Sequence, residues 1–330
     1  MNKIAIVKLS AMGDIIHSMV ALEFIKKYNK NIEIDWIVEE SFIPILEHNP
    51  NINKILPLNL KSIKKEKKQI LKQIKLARSY AKNNYDLVID DQGLLKSAIT
   101  SKLIGSNVAG FSKNSIRESI ASYFYNIKVD IDYAENTIDR NAKVLSSPLG
   151  FEISRDDILN KEAFLFYKES EKVNSLLSNK KKNIVFVIGS TWESRNYPKE
   201  KFARIADALK QNIIVVWGSE EERSRAKWIE SNSKYAIATP KFSLNDLKAL
   251  IAKSDLTIGN DTGPTHIAWG LNKPSITIFG PTPISRVYIT DINKVVKSNS
   301  YVNPYKLNKE DYSIRDIDER EIVEMAKELL

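Results

Sequence analysis

Apolar residues run in short unbroken bursts along this chain, and each burst stops at a small, polar or acidic residue. K-I-A-I-V-K-L (Lys3 to Leu9) ends at Ser10-Ala11-Met12-Gly13-Asp14, and I-E-I-D-W-I-V (Ile32 to Val38) ends at Glu39-Glu40. K-I-L-P-L leads into a basic segment at Lys61, D-L-V-I-D (Asp86 to Asp90) runs into Asp91-Gln92-Gly93, and N-V-A-G-F covers Asn107 to Phe111. Bursts apolar throughout predict strands buried on both faces. Between the first two, Ile15, Met19, Leu22 and Ile25 recur at helical spacing, which puts Asp14 at or near a helix N-cap. Strands alternating with helices predict an α/β unit with a parallel sheet covered on both sides.

From about Pro148 to Lys182 the pattern loosens, and then it restarts. N-I-V-F-V-I-G (Asn183 to Gly189), N-I-I-V-V-W-G (Asn212 to Gly218), Y-A-I-A-T, D-L-T-I-G and S-I-T-I-F read as strands of a second unit of similar plan. The expected domains are residues 1–165 and 180–314. The tail, residues 315–330, reads as an amphipathic helix with a capping box at Asp318 and Glu321, expected to pack back on the first domain. Two doubly wound domains facing each other across a cleft would gather ligands at the carboxyl ends of their strands.

The segment Leu256 to Pro283 reads as strand, tight loop, short helix, strand, with Pro264 at the first helical position. A helix that opens on small residues after a strand leaves N–H groups unpaired, and such an end favours phosphate. A plain strand–helix turn capped by Asn260-Asp261 would show the same letters. Asp14, at the end of the first strand, could act as a general base or merely cap its helix. One glycine in that loop is not the G-x-G-x-x-G fingerprint and counts against a nicotinamide or flavin dehydrogenase. The loop Gly189 to Pro198 carries hydroxyls and Arg195 suited to a pyrophosphate, or is simply solvated. Glu222 is placed to grip ribose hydroxyls with both oxygens, or belongs to an exposed acidic surface. His266 could donate to a phosphate oxygen, although a lone helical histidine is more often structural.

Composition narrows the classes. The chain of 330 residues is 43% hydrophobic and 28% charged, with a formal charge of +9 and no cysteine. Disulfides and thiolate metal sites are therefore excluded, and three histidines (His17, His48, His266) leave little scope for a histidine metal centre. A cytoplasmic protein fits, with neither a signal peptide nor an apolar run of transmembrane length. Nine basic residues and one acidic residue lie between Lys61 and Lys82. Ile70, Ile74, Ala77 and Ala81 would form the buried stripe of a helix there. The charged face is either solvated or set against an anionic substrate or acidic lipid headgroups. No nucleic-acid-binding signature accompanies the charge.

Taken together the chain resembles the heptosyltransferases of lipopolysaccharide inner-core assembly, glycosyltransferase family 9, with the type I branch nearest. The resemblance runs the length of the chain. It rests on I-V-K-L-S-A-M-G-D-I-I-H (Ile6 to His17), V-E-E-S-F (Val38 to Phe42) and D-D-Q-G-L-L-K-S-A (Asp90 to Ala98). R-E-S-I-A-S-Y-F-Y-N (Arg117 to Asn126), W-G-S-E-E-E-R-S-R-A-K (Trp217 to Lys227) and D-T-G-P-T-H (Asp261 to His266) complete it. It implies a GT-B fold, two Rossmann-like domains with the acceptor on the first and the sugar nucleotide on the second. It implies inverting transfer of L-glycero-D-manno-heptose from ADP-heptose to a 3-deoxy-octulosonic acid (Kdo) on lipid A, at the cytoplasmic face of the inner membrane, to which the enzyme attaches peripherally.

Position by position, the resemblance makes Asp14 the catalytic base. It makes Ser190, Thr191, Arg195, Glu222, Phe242, Asp261, Thr262, Gly263 and His266 the donor site. Lys61, Lys64, Lys65 and Arg117 fall where the family binds its acidic acceptor. Arg195 and Phe242 stand where the family often has lysine and methionine. No cofactor and no obligatory metal are expected, because cationic groups and N–H donors can meet the charge on departing ADP. Asp261 is expected to take hydrogen bonds from sugar hydroxyls or from its loop's own N–H groups. The alternatives are a family member acting on a heptose acceptor, or a sugar-nucleotide-binding protein without turnover.

Overall fold

The computed structural model describes residues 1–330, except for the side chains of Lys64 and Lys65. The chain divides into two compact units, Met1–Phe164 and Leu165–Leu330. The first runs β1 (Lys3–Val7), α1 (Met12–Met19), α2 (Ala21–Tyr28), β2 (Glu33–Glu39), α3 (Ile43–Leu46), β3 (Lys54–Leu58), α4 (Lys61–Lys65) and α5 (Gln69–Tyr80). It continues with β4 (Leu87–Asp90), α6 (Leu95–Ile104), β5 (Val108–Phe111), a 3₁₀ segment at Ser119–Phe124, β6 (Ile127–Val129), α7 (Thr137–Ser146) and α8 (Arg155–Leu159). Its six strands are all parallel, in the order β3-β2-β1-β4-β5-β6. The strand order reverses between β1 and β4, the switch point at which ligands of open α/β sheets collect.

The unbroken apolar bursts explain the sheet: Ile4 to Val7, Trp36 to Val38 and Leu87 to Ile89 are buried. Pro57 lies in β3, and an edge strand is the place where a missing N–H costs no ladder bond. Right-handed crossovers put α5, α6 and the Ser119–Phe124 segment on one face of the sheet. There α5 packs on α6 and α6 on the 3₁₀ segment, while α1 and α2 pack on α7 across the sheet.

The second unit comprises α9 (Glu171–Asn174), β7 (Asn183–Val187), α10 (Lys199–Leu209), β8 (Asn212–Val216), α11 (Glu220–Asn232), β9 (Ala236–Ala238) and α12 (Leu244–Lys253). It closes with β10 (Leu256–Asn260), α13 (Gly263–Gly270), β11 (Ser275–Phe279), β12 (Asn293–Lys297) and α14 (Glu319–Leu329). Its parallel sheet runs β12-β11-β10-β7-β8-β9, with the switch point between β7 and β10.

Three expectations are corrected here. The terminal helix, expected to pack on the first unit, is part of the second: Ile322, Val323 and Ala326 of α14 join its core, together with Phe202 and Ile276. Arg204 and Lys201 of α10 pair with Glu319 and fix its start. Its cap is Asp318 accepting the Arg320 N–H at 2.9 Å and clasping the Arg320 guanidinium, rather than a box with Glu321. The basic segment forms two helices, α4 and α5, and of the expected stripe α5 buries Ala77, half-buries Ile74 and leaves Ile70 exposed, while Gln73 joins the buried face. Gln73 faces inward because its Oε1 accepts the Asn59 N–H at 2.9 Å.

Candidate active site

Asp14 is the third residue of α1. Its Oδ2 accepts the Ala11 N–H at 3.1 Å, one half of a capping box whose other half Ala11 has no side-chain acceptor to complete. The second carboxylate oxygen is thus not spent on the cap. The loop before it is pinned from β4, since the Gln92 Oε1 accepts the N–H groups of both Leu9 and Ser10 at 3.0 Å. Beneath it lies a buried polar cluster. Lys8 donates to the Asp91 carbonyl at 2.6 Å and pairs with the Asp91 carboxylate at 3.3 Å. Ser18 donates to the same carboxylate and accepts from the Asn141 amide at 3.1 Å. Asp90 accepts the N–H groups of Gln92 and Gly93 and the Tyr125 hydroxyl. Full burial pushes its carboxyl up to about 6 despite those bonds. Asp14 therefore rests on a scaffold tied across β1, β4, α1 and α7.

On the same unit Lys61 opens α4. Its ammonium lies 4.7 Å over the Phe42 ring and 3.1 Å from the Ser41 hydroxyl. The Glu39 carboxylate accepts the N–H groups of Leu60 and Lys61 at 3.2 and 3.0 Å. A recess of about 390 Å³ beside this turn is lined by Glu40, Asn59, Ser62, Lys72 and Gln73 among others. Arg117 is exposed, 3.9 Å from the Glu118 carboxylate, and follows β5 where Lys61 follows β3. Lys64 and Lys65 lie outside the described side chains.

In the second unit the loop after β10 meets the loop after β7. Asn260 ties them together: its Nδ2 donates to the Ile188 carbonyl at 2.8 Å and its Oδ1 accepts the Tyr197 N–H at 3.1 Å. Thr262 is the N-cap of α13, so neither Asn260 nor Asp261 caps it, and Pro264 stands one place further in than expected. The N–H groups of Thr265 and His266 turn back to the Thr262 carbonyl at 3.0 and 3.4 Å. Pro264 has no N–H, which leaves those of Thr262 and Gly263 at the mouth of the helix. The tight entry depends on Gly259, where a Cβ would lie 2.5 Å from the Val187 Cβ and 2.7 Å from the Thr265 Oγ1.

Asp261, expected to accept from sugar hydroxyls or from its loop's own N–H groups, is met here by side chains. It is 2% exposed and accepts from Arg195 Nη2 at 2.8 Å and from the Thr282 hydroxyl at 2.7 Å, with His266 Nε2 at 3.1 Å. Arg195 also reaches the Asp261 carbonyl. Burial alone would raise this carboxyl, but the His266 hydrogen bond and the charges of Arg195, His266 and Arg286 hold it well below the usual carboxylate range. The carboxylate thus accepts from side chains, not from its loop's N–H groups. Arg195 and His266, both expected to meet phosphate, converge on Asp261.

The remaining predicted positions surround this hub. Ser190 and Thr191 follow β7; the Ser190 hydroxyl oxygen and that of the neighbouring Ser194 are buried without a hydrogen-bond partner among the described residues. The Arg195 guanidinium lies 5.4 Å and the Lys309 ammonium 4.9 Å from the centre of the Trp192 ring. Glu222 is the capping-box partner of Ser219 in α11, and its Oε2 accepts the Gly218 N–H at 2.6 Å. Its carboxylate packs over Gly189, where a Cβ would fall 2.1 Å from Oε1. Oε2 is thereby committed to the cap, and Oε1 is the oxygen not spent on it. Phe242 is half-buried in the loop between β9 and α12. The sequence reading missed Thr282, Gln92 and Trp192. Thr282 had a signal, a lone hydroxyl in the P-T-P turn after β11, and Gln92 had one in the Asp90 to Ala98 stretch, whereas Trp192 had none beyond its place in the loop after a strand. Among the described residues no group of three or more His, Asp or Glu side chains is set to hold a metal ion.

A family model for glycosyltransferase family 9 (heptosyltransferase) matches residues 73–313. The chain is 42% identical to lipopolysaccharide heptosyltransferase 1 of Campylobacter coli, covering 99% of this chain and 98% of that relative. It is 28% identical to lipopolysaccharide heptosyltransferase 1 of Escherichia coli (strain K12), covering 85% and 88% of the two. Among solved structures, E. coli heptosyltransferase WaaC with ADP-2-deoxy-2-fluoro heptose superposes with a TM-score of 0.80 at 24% identity, covering 99% of this chain and 100% of that one. E. coli ADP-heptose lps heptosyltransferase II gives 0.77 at 19%, covering 99% and 98%. These last two likenesses establish the fold: both units, each with its six-stranded parallel sheet, are those of the GT-B type.

Proposed function

The chain belongs to glycosyltransferase family 9, the heptosyltransferases, and from that premise we propose that it makes the first heptose linkage of the lipopolysaccharide inner core. The donor is ADP-L-glycero-D-manno-heptose and the acceptor a Kdo residue on lipid A. Similarity to a type 1 relative along nearly the whole of both chains is the observation that carries this choice of acceptor.

In the proposed reaction the Kdo hydroxyl oxygen attacks the anomeric carbon as the bond to the β-phosphate oxygen breaks. The configuration inverts in that single displacement. Asp14 accepts the hydroxyl proton on the oxygen left over from its cap, and ADP departs with the bonding electron pair. The N–H groups of Thr262 and Gly263, the hydroxyls of Ser190 and Thr191, and Arg195 meet the charge on the diphosphate. Asp261 holds Arg195 and His266 in place, so its own charge is balanced before any phosphate arrives. Glu222 offers one oxygen to the ribose, and Phe242 lends apolar surface to the base. Lys61, Lys64, Lys65 and Arg117 take the acidic acceptor. No obligatory metal is called for, and the enzyme meets the acceptor from the cytoplasmic face of the inner membrane. Among the described residues no helix is long and apolar enough to cross a membrane.

The test is release of ADP from ADP-heptose, with Kdo-lipid A as acceptor and, separately, with the same lipid already carrying one heptose. Turnover on the first and not the second is expected. Turnover only on the second assigns a later step of the core, and binding of ADP without release from any acceptor leaves a binding protein.

A further inference from the structure

We propose that the outer face of α5, α6 and the Ser119–Phe124 segment is a docking surface for an anionic phospholipid bilayer. Because Gln73 takes the inward position on α5, Ile70 and Leu71 are turned to solvent, 46% and 66% exposed. On the adjoining α6, Ile99 is exposed as well, and beyond it Ile120 and Tyr123 are 62% and 72% exposed. Single exposed apolar side chains are ordinary. Here five sit on three elements that pack side by side in one layer of the first unit. Lys67 and Lys68, in the turn before α5, and Lys72 and Lys75 along it flank Ile70 and Leu71, and among the described residues none of these four is ion-paired with a carboxylate. Glu66, the acidic residue within this run, is engaged by the Gln69 amide at 2.9 Å. Exposed apolar side chains with unpaired lysines beside them at α5 match a headgroup boundary, where the apolar part enters the acyl edge and each ammonium meets lipid phosphate. Each lysine held near an anionic surface raises partitioning by about fivefold.

The inference rests on the proposed lipid-borne acceptor, but its test reads binding alone. The full chain is sedimented with vesicles of phosphatidylcholine, and with vesicles in which about a third of the lipid is phosphatidylglycerol. Binding to the second and not the first, weakened by salt, is expected. Ile70→Ser with Leu71→Ser, and separately Ile120→Ser with Tyr123→Ser, should each lower the partition coefficient by about tenfold. Lys67→Glu with Lys68→Glu should lower it at least as far, whereas Lys30→Glu with Lys143→Glu, the same change of charge away from this face, should have little effect. Thermal melting confirms that each variant is folded, and ADP release with a soluble, deacylated acceptor should be unchanged in all of them. Equal binding to both vesicles, equal loss from the two charge pairs, or binding of duplex DNA without vesicle binding would overturn the proposal. Failure to release ADP from any acceptor would instead overturn the transferase reading and leave the vesicle result standing.

Discussion

Asp261 carries a negative charge into a site read as binding diphosphate, and its neighbours make that charge useful. Arg195 lies 66 positions away and Thr282 lies 21 away, so the cluster could not be read from the string D-T-G-P-T-H. Removing one member of a buried pair strands the other, at about 3–5 kcal/mol. Asp261→Asn should therefore lower stability by about 3 kcal/mol in urea titration. It should also weaken ADP binding in calorimetry, although simple repulsion predicts the opposite. Asp14→Ala should leave ADP affinity unchanged and reduce turnover by about 10²–10⁴-fold, the usual loss for a general base. Asp90 bears on stability. It titrates near 6 when folded and near 4 when unfolded, so the folded state binds the extra proton between those values. Its contribution is complete below pH 4 and is lost as pH rises to about 6, about 2–3 kcal/mol in all. Asp90→Asn should match wild type at pH 4 and exceed it at pH 7.5 in chemical unfolding.

Among the elements, the strands buried on both faces were legible because each is an unbroken apolar burst. The two strands missed are β6, I-K-V, and β12, N-K-V-V-K. Both are sheet edges broken by lysine, as edges facing solvent tend to be. On helix α5 Ala77 is buried as read while Ile70 is not, because the period fixes that a face is buried and the hydrogen bond that the Gln73 side chain accepts from Asn59 turns that face. One stretch that carries the family likeness, Glu118 to Asn126, is largely architectural. Glu118 caps α6 at the Leu95 N–H, Tyr125 holds Asp90, and Asn126 pairs with Lys102. Their spacing was readable, and their partners, distant in sequence, were not. At the β10–α13 junction, Gly259→Ala would push α13 from the strand and strain the Thr265 bond to the Asn260 carbonyl. Overpacking of that kind costs about 1–3 kcal/mol, measurable in urea, with looser ADP binding alongside it.

For the whole molecule, the α/β class and the repetition of one plan were plain from the letters, because both sheets are built from the same kind of burst. Each sheet reverses its strand order once, and the candidate residues cluster beside that reversal: Asp14 after β1, and Ser190 and Thr262 after β7 and β10. If cations and backbone donors suffice for departing ADP, turnover should be unchanged after treatment with EDTA and not raised by added Mg²⁺. A loss on chelation that Mg²⁺ restores would assign a metal to the reaction. The tail contributes one more thing. Because α14 completes the second core and the chain passes from one unit to the other once, at Phe164–Leu165, each half is a continuous stretch of gene. A recombination breakpoint placed there would hand over one hydrophobic centre intact without cutting the other. If each unit reads one substrate, as proposed, relatives of this chain can be spliced into chimeras that take the reading of one substrate from one parent and of the second from another.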